Sequence, residues 1–499
     1  MSSIFEDLFI FEMANSHQGS VEHGTAIIKE MAKICRLCNI KGAVKLQYRE
    51  LDSFIHSSYK GRTDVKNISR FESTRLKKED FDNLVETIRE EGMIPISTPF
   101  DETGVEWCMS QGLPVIKIAS CSAVDWPLME EAAKTHKPLL VSTGGKSITD
   151  IDKIYNFLTH RGCEFALMHC IAEYPAAEER IQLDFIDRMK KRYHGILIGY
   201  SGHEKPDDYT VPMLAAAKGA RIFERHVGME TDTIKLNAYS MNPKQAEAWV
   251  RAVLRAKEIC VLKKEKEKYI SQSEIESLHC LMRGVYAKES VAKGSSIHRK
   301  QVYFAMPYQK DKGQMSSGEF IDGIQAQRNY NTDMPICEQR MVTDINVTRS
   351  IIHDMKGLIY EAGIALGSEY EIELSHHYGM RNFRQTGAAI INVINREYCK
   401  KLIVVLPGQN HPKHFHKEKE ESFQVLYGDL ECEIDGNIRQ MEAGDIVTVQ
   451  RGKVHSFTSR DGAVFEEIST THKKEDSFYM DETIAKRDIM ERKTIMKEW

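Results

Sequence analysis

No apolar run in this 499-residue chain approaches the roughly 20 residues that span a bilayer. Its opening MSSIFEDLF shows no basic stretch leading into an apolar one. A cytoplasmic protein without a membrane partner is the expectation. An excess of basic charge is lacking too. Lys and Arg total 68 against 73 Asp and Glu, a formal net charge of −5, so the electrostatic footprint of a nucleic-acid binder is missing. Proline (13) and tryptophan (4) are sparse and glycine (31) is ordinary, which leaves no low-complexity composition. The 11 cysteines are odd in number and scattered, and read as reduced thiols rather than a disulfide framework. What the chain does have is 41% hydrophobic residues, enough for several cores, and a length that at about 150 residues per domain points to about three domains.

Eight β-rich runs occupy the first half: LFIFEMA (8–14), GAVKLQ (42–47), MIPISTP (93–99), VIKIAS (115–120), PLLVSTG (138–144), FALMHCI (165–171), GILIGYSG (195–202) and RIFERHV (221–227). Helical apolar spacing follows them, for example at 22–38, 79–91, 126–136, 182–193 and 243–262. The last of these opens with Asn242-Pro243, an N-cap followed by Pro at the first helical position. Near-continuous apolar strands alternating with helices predict a closed parallel (β/α)8 (TIM) barrel over residues 1–262. A doubly wound open sheet is the alternative, but it would want a Gly-rich first turn. Residues 263–278 read as a charged linker with a short helix, 279–340 as a small β-rich module, 341–475 as antiparallel strands in a sandwich or barrel, and 476–499 as a charged helical tail. Cys35-Arg-Leu-Cys38 has redox-motif spacing, yet it lies inside an amphipathic helix and reads as packing thiols.

In a parallel barrel the chemistry sits at the C-terminal ends of the strands, and here those ends are polar. They bring Glu12, Lys45, Gln47, Lys117, Ser120, Ser142, Tyr174, Ser201, His203 and His226 to one rim. Lysines, hydroxyls and two histidines from neighbouring strands suit a phosphorylated or carboxylated substrate beside a divalent metal. In order, Glu12 to Ser20, VKLQ (44–47), STPFDETGVEW (97–107), KIAS (117–120), LLVSTG (139–144), HCIAEYPA (169–176), GYSGH (199–203) and FERHV (223–227) resemble the sialic acid synthase family. That family condenses phosphoenolpyruvate with an aldose to give a 3-deoxy-2-keto sugar acid. The resemblance implies that His203 and His226 ligate Mn²⁺ or Mg²⁺, that Lys45, Lys117, Ser120, Ser142 and Ser201 hold phosphoenolpyruvate, that Gln47 and Tyr174 border the substrate, and that Glu12 handles the attacking water. Residues 279–340 resemble the antifreeze-like module of these synthases, which implies a homodimer. Two departures stand out. Ser122 occupies the position where relatives using N-acetylated sugars carry Glu, implying an acceptor without an acetamido group, and Gly202 stands where Asp is usual.

A second constellation lies at Gly408, His414-Phe415-His416, Glu421, Gly428 and His455. His-x-His on a strand puts both imidazoles on one face, and Glu421 with His455 completes a set suited to Mn²⁺, Fe²⁺, Zn²⁺ or Ni²⁺. The spacing resembles both cupin motifs. From IELSHHYG (372–379) to FEEISTTH (465–472) the segment is similar to cupin sugar isomerases of the D-lyxose type, implying proton transfer between C1 and C2 of a sugar, with Glu467 and Lys419 as candidate groups. A phosphoenolpyruvate-dependent synthase is the leading expectation, with two readings of its cupin kept open: an isomerase that makes or selects the aldose, or a module that only binds product or stabilises assembly. The alternatives are a barrel that has lost catalysis and binds carbohydrate or regulates, and a lyase or aldolase that uses no phosphoenolpyruvate.

Overall fold

The computed structural model describes residues 3–65, 67–260, 268–339, 343–367, 369–473 and 475–497, in two compact units, 1–269 and 270–499. The charged run at 263–267 lies outside the described residues.

The first unit is the expected closed parallel barrel. Strands β1 (Leu8–Glu12), β2 (Lys41–Tyr48), β3 (Ile94–Pro99), β4 (Val115–Ile118), β5 (Leu139–Ser142), β6 (Phe165–Cys170), β7 (Ile198–Gly202) and β8 (Ile222–His226) pair in sequence order, and β8 returns to β1. Eight helices of eight or more residues follow the strands, from Val21–Cys38 to Pro243–Cys260. Asn242 caps the last of them as its side chain accepts from the Gln245 N–H (3.0 Å) while Gln245 returns a bond to the Asn242 N–H (3.0 Å), the reciprocal box that ends orphan donors at a helix start.

Alternation along each strand divides the side chains into two populations. Phe9 and Phe11 of β1 point outward and meet the edge of fully buried Trp249 at 5.5 and 5.8 Å. Ile10, Ala43, Ile96, Leu140, Ala166, Met168 and Ile222 point inward and plug the lower barrel. The plug matters for function, because it seals the cavity from below and leaves it open only at the strand C-termini. Cys35 belongs to the packing: a Cβ on Gly42 would lie 2.2 Å from its sulfur, and burial pushes the thiol up to about 12. That is the wrong direction for a redox thiolate.

The second unit holds a small β cluster and a large antiparallel sheet. In the cluster Gly284–Ala287 pairs with Val302–Ala305 around Val285, Val291, Ile297, Tyr330 and Ile336. The sheet is antiparallel, as expected after 341: Glu421–Ile434 pairs with Ala463–Thr470, which pairs with Tyr398–Val405, followed by Ala388–Asn395 and Glu371–Ser375. Two expectations change. The region after 341 opens with a helix, Asp344–Glu361, whose Ile351, Met355 and Ile359 recur every fourth residue and are buried. The stretch from 476, expected as a helical tail, is mostly strand and turn. Phe478–Tyr479 pairs with Asn410–Phe415, and Lys493–Met496 adds an edge strand to Glu371–Ser375, with short helical turns between at Glu482–Ala485 and Ile489–Glu491. The sheet edge supplies backbone donors and acceptors that charge patterning does not report. Among the described residues no helix is long and apolar enough to cross a membrane.

Gly428 sits at φ +78°, where a Cβ would lie 2.1 Å from the Gly462 carbonyl oxygen, whereas Gly436 at φ +83° faces open space. Gly428→Ala is therefore expected to destabilise the sheet by about 2–4 kcal/mol and Gly436→Ala by only about 1 kcal/mol. Thermal unfolding of the two full-length variants checks the ranking.

Candidate active site and metal centre

Strand register assembles the barrel site. Glu12 of β1 lies directly between Lys45 of β2 and His226 of β8, and Ser201 of β7 is opposite Glu224 of β8. Period two then carries Glu224 to the same face as His226, one layer deeper. The result is a chain of buried charges. Lys117 Nζ contacts Glu224 Oε2 at 2.8 Å, Lys45 Nζ contacts Glu224 Oε1 at 2.9 Å, and Lys45 also pairs with Glu12. The Ser201 hydroxyl donates to Glu224 Oε1 (2.9 Å) and the Ala14 N–H to Glu12 Oε1 (2.7 Å).

Environment sets the charge states. Burial opposes ionisation of Glu224, yet Lys117 and Lys45 hold its carboxyl well below the usual carboxylate range. Burial raises Glu12 against the pull of Lys45, with the charge of Glu224 adding to the rise. Burial lowers Lys117, opposed by Glu224. Of the two carboxylates that share Lys45, Glu12 is thus the one that takes up a proton more readily. Burial pushes His203 down to about 4 and drives His226 well below its ordinary value, so both are neutral imidazoles. His203 Nδ1 sits 2.8 Å from the Ile171 carbonyl; a carbonyl can only accept, so Nδ1 carries the proton and Nε2 keeps a lone pair for a metal. The two rings are 5.4 Å apart, and Tyr174 lies 4.2 Å from the ring of His203.

These residues line one cavity of about 600 Å³, together with Gln47, Ser120, Ser142, Arg49, Arg70 and Tyr239. Ser120 is aimed by the Gly144 N–H, which donates to its Oγ (2.9 Å), and a Cβ at 144 would come within 2.8 Å of that oxygen. Ser122 is a correction: the 3-10 turn Ser120–Ser122 buries it away from the cavity, and Cys121 stands in the lining instead. Gly202 has a packing reason. A Cβ there would lie 2.5 Å from Glu204 Oε2, and that carboxylate is held by the Tyr200 hydroxyl (2.8 Å) and by Arg225 (3.3 Å). Glu224, Arg49 and Arg70 are site residues that the sequence reading does not select. The i, i+2 spacing of Glu224 to His226 and of Gln47 to Arg49 is the signal that could have found the first two.

The cupin site forms as its spacing predicts. One ligand atom each from His414, His416, Glu421 and His455 lies within 4.8 Å of the others, and all four residues are buried. His414 faces His455 across paired strands. His414 Nδ1 donates to the Pro412 carbonyl (3.1 Å), His455 Nδ1 to the Lys453 carbonyl (3.1 Å) and His416 Nδ1 to the Asp476 carbonyl. Each Nε2 therefore carries a free lone pair, and His455 Nε2 and His416 Nε2 face Glu421 Oε1 at 2.6 and 3.6 Å, acceptor against acceptor with no donor between them. Three inward lone pairs and a carboxylate oxygen fit a divalent transition metal. Beside them Lys419 joins Glu421 to Glu467 (2.9 Å to Glu467), and Lys401 reaches Glu467 at 3.2 Å. Burial opposes the charge of Glu467, but Lys401 and Lys419 hold it down to about 2. The lining further includes His411, Tyr479, Arg492 and Lys493. His411 shares the face of His414 because the register shifts between them, an irregularity that a period-two reading passes over. The last three come from the stretch expected to be a tail.

Taken together these features are a barrel cavity lined by lysines, hydroxyls and neutral imidazoles and, in the same chain, a buried group of three histidines and a glutamate that could hold a metal ion. Residues 35–265 match the NeuB family and residues 401–468 the cupin domain family. A crystal structure described as spore coat polysaccharide biosynthesis protein E from Chromobacterium violaceum is 43% identical, with a TM-score of 0.62, and covers 66% of this chain and 98% of its own. N-acetylneuraminate-9-phosphate synthase of Drosophila melanogaster is 28% identical over 257 residues, 50% of this chain and 67% of that protein. Pseudaminic acid synthase of Campylobacter jejuni is 26% identical over 308 residues, 60% and 86% respectively. The chain belongs to the NeuB family of sialic acid-type synthases and carries a C-terminal cupin domain.

If both sites take a metal, His203→Ala and His414→Ala should each lower the metal content by about one equivalent per chain, and the double variant by about two. Elemental analysis after dialysis against buffered Mn²⁺ or Zn²⁺ checks this.

Proposed function

We propose that the barrel condenses phosphoenolpyruvate with an aldose, releasing phosphate and forming a 3-deoxy-2-keto sugar acid. The observation that carries the reading is the buried set Lys45, Lys117 and Glu224 with Ser120, Ser142 and Ser201 beside two neutral imidazoles. The ammonium groups and hydroxyls bind the phosphate and carboxylate of phosphoenolpyruvate. Glu224 keeps both lysines charged at a depth where burial favours their neutral forms. C3 of phosphoenolpyruvate bonds to the aldehyde carbon as the C2–C3 π bond and the aldehyde C=O π bond open and the aldehyde oxygen takes up a proton; water adds at C2 and gives up a proton; the C2–O bond to phosphate then breaks, inorganic phosphate leaves, and the C2 hydroxyl loses its proton to become the ketone. Glu12, fixed by the Ala14 N–H and Lys45, accepts the proton of that water. His203 and His226 would hold Mn²⁺ or Mg²⁺, which when bound would supply Lewis-acid polarisation of a carbonyl oxygen. Tyr174 and Gln47 border the acceptor. Ser122, which does not line the cavity, carries no information about an acetamido group, and the two positions that speak for a barrel without catalysis, Gly202 and Ser122, both have packing explanations. The resemblance of 279–340 to the antifreeze-like module, a homodimer and a cytoplasmic location belong to the same proposal.

For the cupin we infer a second sugar-handling activity, interconversion of an aldose and a ketose. The specific observation is the Lys419–Glu467 pair at 2.9 Å, joined to Glu421 of the ligand set. Glu467, or the lysine it touches, moves the proton between C1 and C2. His414, His416, Glu421 and His455 would hold a divalent metal, which when bound would supply Lewis-acid stabilisation of negative charge on the sugar oxygens.

Consumption of phosphoenolpyruvate with Mn²⁺ across C5 and C6 aldoses tests the barrel. Turnover is expected with at least one acceptor, and Lys117→Met should lower kcat/KM by about 10³-fold. No turnover with any acceptor overturns the reading in favour of a binding or regulatory protein or a lyase. Deuterium exchange at C2 of an aldose by the full-length Lys117→Met protein, lost in Lys117→Met/Glu467→Gln, tests the cupin.

A further inference from the structure

The charges lining the barrel cavity are distributed unevenly. At its floor two cations, Lys45 and Lys117, are matched by two carboxylates, Glu12 and Glu224, through ion pairs. Higher on the same wall the charged residues are Arg49 and Arg70, and among the described residues neither forms an ion pair. Arg49 is shaped for a ligand. Its guanidinium carbon lies 3.6 Å from the ring centre of Phe100 and 4.2 Å from that of Phe71. One terminal nitrogen donates to Gln47 Oε1 (2.9 Å), while Nε is buried with no partner. Two rings thus hold the planar fork in place and leave donors unspent. Burial lowers it to about 10, which still leaves the group charged at neutral pH. Arg70 and Asn67 also line an adjoining polar cavity with Lys235, Ser69 and Ser73, whose lining contains no acidic residue. The upper end of the site therefore presents Arg49 and Arg70, with Lys235 in the adjoining cavity, and among the described residues none of the three forms an ion pair.

A neutral acceptor sugar gives an oriented, partly desolvated guanidinium nothing to neutralise, and such a group is costly to leave unmatched. The anionic groups of phosphoenolpyruvate are already provided for at the floor. We propose that the acceptor aldose carries an anionic group at the end remote from its aldehyde, a phosphate ester or a carboxylate, and that Arg49 is the residue that selects it, with Arg70 and Lys235 adding to the local positive field. The inference rests on the synthase reading of the barrel and names the substrate class of that site.

The test measures phosphoenolpyruvate consumption by the full-length Mn²⁺-loaded protein with matched sets of acceptors: aldopentoses and aldohexoses, their terminal phosphate esters, and the corresponding uronic acids. Wild type should favour one anionic set over its neutral parents by about 30-fold or more in kcat/KM, and which set responds tells phosphate from carboxylate. Arg49→Gln should reduce that preference to about 3-fold or less, chiefly through the acceptor KM, with the KM for phosphoenolpyruvate moving less than about twofold; Arg49→Lys should restore part of it. Equal use of neutral and anionic acceptors, or a loss in Arg49→Gln that falls equally on both sets or on the KM for phosphoenolpyruvate, overturns the proposal while the synthase reading stands. If no acceptor supports consumption, the synthase reading fails instead, and calorimetric titration decides on the anion site alone. An aldose phosphate that binds wild type about tenfold more tightly than Arg49→Gln upholds it, and no difference overturns it.

Discussion

The barrel site depends on one electrostatic device, the buried run Lys117–Glu224–Lys45–Glu12. Four charges taken out of water at this depth cost several kcal/mol each unless each is paired. The alternation of sign along the run supplies the pairing, and the apolar plug beneath it keeps water from entering from below and weakening it. The consequence is that neither lysine can be read alone. Glu224 keeps Lys117 and Lys45 charged, directs their ammonium groups into the same layer, and takes the Ser201 hydroxyl as a third donor. Register explains how a sequence separation of 179 residues closes into a 2.9 Å contact: β1 pairs with both β2 and β8, so Lys45, Glu12 and His226 become neighbours.

The cupin solves the same problem on an unrelated fold. Lys419 there plays the part that Lys45 plays in the barrel, shared between two carboxylates, and one of those carboxylates belongs to the ligand set. Both sites also fix imidazole tautomers through backbone carbonyls, Ile171 for His203 and Pro412, Lys453 and Asp476 for the cupin histidines. A donated Nδ1–H leaves Nε2 basic and aimed inward. That two architectures arrive at this arrangement places the chemistry in the site rather than in the fold.

Much of this was legible in the sequence, and the reason is physical. Parallel barrel strands are buried on both faces and so stand out as apolar runs, and a His-x-His pair on a strand shares a face by geometry alone. What stayed hidden was set by tertiary context. Glu224 sits inside an apolar strand whose neighbour His226 draws attention first, and its role exists only once β2 and β4 deliver their lysines. His411 is out of phase with His414 until the register shift brings them together. Ser122 is one residue past a position that does face the cavity, and a 3-10 turn decides which of the two side chains is inside. The strand Lys493–Met496 is specified by the open edge of Glu371–Ser375 more than by its own residues.

The departures from the resemblance also change meaning once packing is considered. Gly202 looks, in sequence, like the loss of an acidic group. In the structure the space its side chain would fill holds the carboxylate of Glu204, tied to Tyr200 and Arg225, so a larger residue at 202 would have to displace it. The net charge of −5 is reinterpreted in the same way. A near-neutral chain can still hold small anions where a few cations are concentrated behind low-dielectric walls, since a charge there acts far more strongly than one in water. In the barrel cavity that concentration has two levels, a floor where Glu224 and Glu12 are paired with Lys45 and Lys117, and an upper wall where the guanidinium of Arg49 is held by two aromatic rings and forms no ion pair among the described residues.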